Sequence, residues 1–264
     1  MIFLANIGNT NLTYGLFHQK IIASERFPIQ DLSEQQDIEN LCRSLMKKRR
    51  LSPGQIEGSV LSSVVPEKTP LLLEAVRNSF SREPLLISDK TAWGFDRSAY
   101  SGILGTDRLL CCQAAIKKYK PPFIVVDCGT ATTLNVIDQT GAFRGGVILP
   151  GILTGMKALA SEASLLHLVP FSRPESVIGK NTTECILSGA TYGTASLLEG
   201  LVMRIRQELG TDVSVILTGG NSEMLIPYCT LPLHFEPDLL LEGLAIQYTE
   251  KLTDFRLQSK EAPF

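Results

Sequence analysis

The clearest hydrophobic pattern in the chain lies near its middle, where a short apolar run ends abruptly in polar residues. Phe123 to Val126 follows Pro121-Pro122 and predicts a buried strand. An acid, a glycine and three threonines come directly after it, within Asp127 to Thr133. Apolar character returns at Leu134 to Ile137, and Gln139 to Gly141 predicts a turn. The pattern therefore predicts a strand, a polar loop and a second strand.

The same pattern opens the chain, where an apolar run ends at Ile7 and a second one starts at Leu12. When Asn6 is aligned with Asp127, glycines fall together in the two loops at Gly8 and Gly129. Hairpins of similar length follow both loops. An internal repeat at this spacing predicts two similar domains.

Both loops have the composition of a phosphate site. Glycine lets a ligand approach the backbone closely, and hydroxyls and backbone N–H groups can hold phosphate oxygens. For one loop alone, an ordinary hairpin turn is the better explanation. Two matching loops, each after an apolar strand, favour a phosphate site, and two such loops facing each other would make a cleft for a polyphosphate.

The rest of the first repeat alternates between strand and helix patterns. A capping box at Ser33-x-x-Gln36 starts one predicted helix, and Leu71 to Phe80 predicts another. Val60 to Val65 predicts a strand between them. This alternation is typical of the α/β class. The predicted domains are residues 1–120 and 121–264.

The second repeat contains further helix and strand signals. Asn181 predicts an N-cap that Glu184 completes. The small residues from Gly189 to Ala195 predict a smooth helix surface suited to close packing or to a partner subunit. Val213 to Leu217 predicts a third strand that ends in glycines, and Pro237-Asp238 starts the last predicted helix.

Composition narrows the functional classes. The chain has 264 residues, of which 44% are apolar and 20% charged, which is normal for a globular protein of two domains. A net charge of −2 argues against binding to nucleic acid or an acidic membrane. No apolar stretch approaches a membrane span, and Met1 to Ala5 lacks the features of a signal peptide. The six cysteines form no CxxC and predict reduced thiols in a cytoplasmic protein.

The sequence lacks several common motifs of metal sites, nucleotide-binding loops and hydrolases. The three histidines are scattered without metal spacing, and no Walker A, GxGxxG or Gly-x-Ser-x-Gly occurs. The segment 105–108 is a candidate with two interpretations. Asp107 can complement a helix dipole while Arg108 pairs at the surface, or the acid can accept a hydroxyl proton while the guanidinium holds an anion. From the local sequence alone, the structural interpretation is favoured.

Seven motifs, in order and over nearly the whole chain, resemble those of type III pantothenate kinases. They are Asn6-x-Gly-Asn-Thr, Gly105-x-Asp-Arg, Asp127-x-Gly-Thr-Ala-x-Thr, Gly145-Gly-x-Ile-x-Pro-Gly, Gly179-Lys-Asn-Thr, Thr218-Gly-Gly and Pro237-Asp-Leu-x-Leu-x-Gly-Leu. The resemblance implies the acetate and sugar kinase/Hsp70/actin superfold, with duplicated actin-like (ribonuclease H-like) α/β domains and a nucleotide cleft between them. It also implies a homodimer.

The activity implied by the resemblance is transfer of the ATP γ-phosphate to the hydroxyl of pantothenate, the first step of coenzyme A biosynthesis. The reaction in that family uses Mg²⁺ and a monovalent cation, K⁺ or NH₄⁺. By position, Asp107 is the implied general base, which reverses the local interpretation, and Asp127 is the implied ligand of the monovalent cation. The implied pantothenate contacts are Tyr100, Gly105, Thr106, Asp107, Arg108 and Thr182. The implied ATP contacts are Asn6, Gly8, Asn9, Thr10, Asn11, Thr13 and Thr130.

Two departures from the family pattern keep another class of function open. Position 6 is Asn where the family has Asp, so we expect weaker Mg²⁺ binding there. An Asn-Pro pair of the family is absent before Gly105, and aligning Tyr100 requires a gap. The alternative is a ligand-binding regulator or a weakened kinase-like subunit that binds nucleotide with little turnover. A different kinase of the same superfold is less favoured.

Overall fold

The structure is a computed structural model that describes the backbone of residues 1–261 and the side chains of residues 1–251. The chain divides into two compact units. Unit 1 contains residues 1–94, 102–117 and the chain from 238 onward, and unit 2 contains residues 95–101 and 118–237.

The described chain contains ten strands and eight α-helices. The strands are β1 (Ile2–Ile7), β2 (Asn11–His18), β3 (Lys20–Pro28), β4 (Gly58–Ser63), β5 (Leu85–Leu86), β6 (Phe123–Cys128), β7 (Ala131–Ile137), β8 (Phe143–Pro150), β9 (Ser214–Thr218) and β10 (His234–Phe235). The helices are α1 (Gln35–Lys48), α2 (Thr69–Phe80), α3 (Thr106–Lys118), α4 (Ile152–Glu162), α5 (Thr182–Ser188), α6 (Thr194–Leu209), α7 (Ser222–Leu225) and α8 (Leu239–Glu261). A π-helical segment, Gly189–Gly193, joins α5 to α6.

The two sheets have the same topology. Unit 1 has the strand order β3-β2-β1-β4-β5, and unit 2 has the order β8-β7-β6-β9-β10. In each sheet the central strand pairs antiparallel with the strand that follows it and parallel with a later one. The internal repeat predicted from the two loops is therefore a duplication of the whole sheet.

The central strand of unit 1 is buried on both faces. Phe3, Ala5 and Ile7 lie in one core cluster with residues of α1 and α2. Ile2 and Leu4 point the other way, because successive side chains of a strand alternate between its faces. This explains why β1 is apolar on both faces from Ile2 to Ala5, with Asn6 as its polar residue near the end.

The second face of β1 is covered by the last helix of the described chain. Leu241, Leu244 and Ala245 of α8 belong to one core cluster with Ile2 and Leu4. The compact units therefore differ from the predicted domains 1–120 and 121–264, because α8 belongs with unit 1. Periodicity predicts that this helix exists, but the face that it covers depends on a strand more than 230 residues earlier.

Helix starts agree with the sequence prediction in one case and disagree in another. Asn181 is the N-cap of α5, and its Oδ1 accepts from the Glu184 N–H at 2.9 Å. The predicted capping box at Ser33-x-x-Gln36 is wrong by one residue. Glu34 is the N-cap, and the Asp37 carboxylate accepts from the N–H groups of residues 33 and 34 at 2.8 and 2.9 Å. A carboxylate accepts these two bonds better than an amide does.

Two other predicted segments also shift. The strand predicted at Val60 to Val65 runs instead over β4, because Ser63 Oγ accepts from the Val65 N–H and turns the chain. Gly189 and Gly193 lie on the exposed side of the π-helical segment, whereas Thr191 and Ala195 are buried.

Within the described residues, no helix has both the length and the apolarity needed to span a membrane.

Two glycines in helices differ in how closely other atoms approach them. A Cβ at Gly243 in α8 would lie 2.3 Å from the Leu110 carbonyl oxygen, whereas a Cβ at Gly200 in α6 would meet nothing within 4 Å. We expect Gly243→Ala to lower the free energy of unfolding by about 1–3 kcal/mol, because the helices must separate. The matched Gly200→Ala change should raise stability by up to about 1 kcal/mol. Thermal melts of both variants check this, and equal shifts would contradict the packing described.

Candidate active site

The loop between β6 and β7, residues 129–130, is held by residues that follow two neighbouring strands. The Gly151 N–H, directly after β8, donates to the Thr130 carbonyl at 2.9 Å, and Thr154 Oγ1 donates to the same carbonyl at 2.7 Å. Asn221, directly after β9, donates its amide to the Gly129 carbonyl at 3.0 Å. The carbonyl oxygens of Gly129 and Thr130 therefore accept hydrogen bonds within the unit, and the Thr130 side chain is exposed.

Asp127 lies one residue before the end of β6 and is partly buried. Gly219 packs against it with a φ of +100°, and a Cβ there would lie 2.3 Å from Asp127 Oδ1. Only glycine adopts that conformation readily and leaves room for the carboxylate. No cluster of three or more His, Cys, Asp or Glu side chains suited to a metal occurs among the described residues. Asp127 therefore belongs to no such cluster within the described part of the chain.

The loop between β1 and β2 is the counterpart in unit 1. The Gly8 N–H donates to the Asn11 carbonyl at 2.9 Å, which closes the loop, and the Ile29 N–H donates to the Thr10 carbonyl at 2.8 Å. Asn9 and Thr10 have exposed side chains. Asn11 and Thr13 are partly buried on β2.

The polar residue before each loop has a partner in the neighbouring parallel strand. Asn6 is in register with Ser62 of β4, and Asp127 is in register with Thr218 of β9. In unit 1 the two residues are bonded, since Ser62 Oγ donates to Asn6 Oδ1. The alignment of Asn6 with Asp127 thus corresponds to equivalent positions of the two sheets.

Asp107 lies in the first turn of α3, in surroundings that disfavour its charged form. Its Oδ1 accepts from the Arg108 N–H at 2.8 Å. Burial raises the pKa of Asp107 above the usual aspartate range, and the hydrogen bond and charge of Arg108 only partly oppose that effect. A carboxylate that merely complements a helix end is stabilised in its charged form, so the raised pKa favours the functional interpretation.

The residues around Asp107 leave room for its carboxylate. A Cβ at Gly105 would lie 2.6 Å from Asp107 Oδ1 and 3.8 Å from a methyl carbon of Val64. The Val64 N–H donates to the Ile7 carbonyl at 3.0 Å, at the end of β1. The 105–108 segment therefore lies beside the strand end that carries the unit 1 loop. Thr106 is buried, and its hydroxyl has no hydrogen-bond partner among the described residues.

Two predicted substrate contacts belong to unit 2. The Tyr100 ring packs edge-to-face on Phe143, with ring centroids 5.6 Å apart. Thr182 is exposed at the first position of α5. Unit 1 therefore carries the predicted residues from Asn6 to Thr13 and from Gly105 to Arg108, whereas unit 2 carries Tyr100, Asp127, Thr130 and Thr182.

The sequence did not reveal the residues that hydrogen-bond to Asn6 and to the loop between β6 and β7. Ser62 follows an apolar run and has no motif of its own, and only the register of β1 with β4 reveals its role. Thr154 and Asn221 contact the unit 2 loop from more than 20 residues away in sequence. The glycines before Asn221 were the available signal, since they mark a strand end where another backbone comes close.

Solved structures with similar folds define the fold class. The activator of 2-hydroxyisocaproyl-CoA dehydratase from Clostridium difficile, with bound ADPNP, matches with a TM-score of 0.58 over 100% of this chain and 98% of its own, at 14% identity. MreB 5 of Spiroplasma citri, bound to AMPPNP, matches with a TM-score of 0.54 over 97% and 98%, at 10% identity. At these identities the likeness concerns the fold alone. The expected duplicated actin-like α/β fold is confirmed.

Sequence comparison identifies the family. The model of type III pantothenate kinase matches residues 2–204. A type III pantothenate kinase of Thermomicrobium roseum is 36% identical over 257 residues, which cover 94% of this chain and 96% of the relative. The chain belongs to the type III pantothenate kinase family. The resemblance inferred from the seven motifs is confirmed.

Proposed function

We propose that this chain transfers the γ-phosphate of ATP to pantothenate, with Asp107 as the general base. The family fixes the reaction as that of a kinase whose substrates are pantothenate and ATP, and a divalent metal ion accompanies the nucleotide. The observation that carries the assignment of the base is a partly buried carboxylate at the acid position of the Gly105-x-Asp-Arg motif, and burial raises its pKa. Family membership does not favour the alternative of a regulator without turnover.

The positions of these residues in the family motifs suggest a role for each group. Asp107 accepts the proton of the pantothenate hydroxyl, and Arg108 places a positive charge beside it. Positioning and charge neutralisation supply most of the catalysis in phosphoryl transfer. The pantothenate contacts are Tyr100, Gly105, Thr106, Arg108 and Thr182, and the ATP contacts are Asn6, Gly8, Asn9, Thr10, Asn11, Thr13 and Thr130.

Asp127 is the proposed ligand of a monovalent cation, K⁺ or NH₄⁺. Its carboxylate ends a buried strand, and Gly219 leaves it space. A cytoplasmic location is proposed as well, because all six cysteines are free thiols.

The proposal of a homodimer has support from unit 2. Most of the large exposed apolar side chains of the described residues belong to this unit, and apolar side chains that gather into one exposed patch mark interaction sites. They are Ile148, Leu159, Leu165, Leu168, Val177, Ile178, Leu197, Met203 and Phe235. The exposed glycines of the π-helical segment lie on the same helical stretch as Leu197.

The base is tested by Asp107→Asn in an ATP-dependent assay of pantothenate phosphorylation. We expect turnover to fall by roughly 10²–10⁴-fold, the usual loss of a general base. In the unchanged enzyme the base is active only when deprotonated, so the raised pKa predicts that kcat/KM falls on acidification at a pH above the ordinary aspartate range. The exposed Asp31→Asn is the control. Near-normal turnover of Asp107→Asn would remove this residue from the mechanism.

The cation site is tested by comparing rates in K⁺, NH₄⁺ and Na⁺ salts. We expect activity with K⁺ or NH₄⁺ and little with Na⁺ alone. Asp127→Ala should lose both the cation dependence and most of the activity, because it removes the charged ligand. Asp212→Ala, whose side chain is 84% exposed in the same unit, is the matched control. Equal rates in the three salts would argue against the site.

The dimer is tested with two leucines of similar exposure. Leu197 in unit 2 is 45% exposed and Leu86 in unit 1 is 39% exposed. We expect the unchanged chain to sediment at twice 28.9 kDa and Leu197→Asp to shift toward 28.9 kDa, because a buried charge opposes association. Leu86→Asp should leave the mass unchanged. A mass of 28.9 kDa for the unchanged chain at micromolar concentration would contradict the dimer.

A further inference from the structure

The buried end of β1 carries a neutral amide that is hydrogen-bonded to β4. Asn6 is 4% exposed, and its Oδ1 accepts a hydrogen bond from Ser62 Oγ. A hydroxyl can donate or accept, and in this structure Ser62 is the donor and the amide oxygen the acceptor. The amide oxygen therefore lies on the side of β4, away from the loop.

The amide nitrogen of Asn6 lies toward the loop between β1 and β2. A Cβ built on Gly8 would be 3.9 Å from Asn6 Nδ2, and no other Asn6 side-chain atom would come within 4 Å of it. The loop beyond Gly8 exposes Asn9 and Thr10. Asn6 thus presents hydrogen-bond donors to the loop proposed to contact ATP.

We propose that Asn6 binds the nucleotide by donating an N–H to a phosphate oxygen, so that nucleotide affinity in this chain depends only weakly on Mg²⁺. The inference rests on the proposed function, since it takes ATP as the ligand. A water molecule bound to Mg²⁺ offers hydrogens to its neighbours, so its partner must be an acceptor. With its oxygen turned to Ser62, Asn6 presents no acceptor to the loop, and the residue does not fit a role in holding Mg²⁺.

Unit 2 provides the internal comparison. Asp127 occupies the equivalent register position opposite Thr218, and there the residue is a carboxylate. A carboxylate accepts hydrogen bonds and binds cations, whereas the amide of Asn6 donates toward its loop. The two halves of the duplicated fold therefore offer opposite chemistry at one position. An Asp at position 6 would place a negative charge near the phosphates, which a cation would have to neutralise.

The test measures nucleotide binding directly, without pantothenate and without turnover. ADP and AMPPNP are titrated calorimetrically into the full chain, in MgCl₂ or in EDTA. We expect the Kd of the unchanged chain to rise less than roughly tenfold in EDTA, because the N–H donor still meets the phosphate. For Asn6→Asp the rise should be at least about tenfold larger, because charge repulsion is then unopposed.

Two further variants keep the test decisive if Asn6→Asp folds poorly. Asn6→Ala removes the donor without adding charge, and its Kd should rise by roughly tenfold in both conditions. Ser59→Ala is the control, because Ser59 is buried on the same strand as Ser62 with a hydroxyl that has no partner among the described residues. Its affinity should not change.

The failures of the two proposals can be told apart. An equal loss of affinity in EDTA for the unchanged chain and for Asn6→Asp would overturn the role of Asn6 and leave the kinase assignment intact. Unchanged binding by Asn6→Ala would have the same meaning. A complete absence of nucleotide binding in every condition would overturn both proposals.

Discussion

The structure depends on the burial of one central strand in each sheet, with neighbours on both edges. In unit 1, β1 has β2 and β4 at its edges and helices on both faces, so only its end can present polar groups. A polar side chain at that end still needs a partner, because an unsatisfied buried group costs about 1–3 kcal/mol. Ser62 provides the partner for Asn6. This constraint links the hydrophobic core to the proposed nucleotide loop.

The same constraint explains why glycines gather around the polar residues. A loop that follows a buried strand lies where several strand ends meet, and their backbones come within hydrogen-bonding distance. Gly151 and Gly219 lie against the unit 2 loop and against Asp127, at distances where a Cβ would overlap with other atoms. The loops are thus held by backbone packing, and the Thr130 side chain is exposed. Such preorganisation reduces the cost of binding.

Asp107 shows the opposite energetic balance, since its burial opposes the charged form that the proposed chemistry needs. Desolvation raises its pKa, and Arg108 limits the rise. A base with a raised pKa holds a transferred proton more readily than an ordinary carboxylate, and this suits proton abstraction from a hydroxyl. Stability and function therefore make different demands on this residue, as is common where pKa values are perturbed.

The sequence is enough to predict the α/β class, the two strand-loop-strand repeats, the Asn181 cap and, through seven motifs, the family. These features are local, because they follow from apolar periodicity and from glycine and hydroxyl positions within a few residues. Only the folded structure shows that α8 covers β1 and that the Asn6 oxygen is turned to Ser62. Each of these depends on which groups meet in space. The pairing of Asn6 with Ser62 joins residues 56 positions apart, and a pattern within one segment cannot express it.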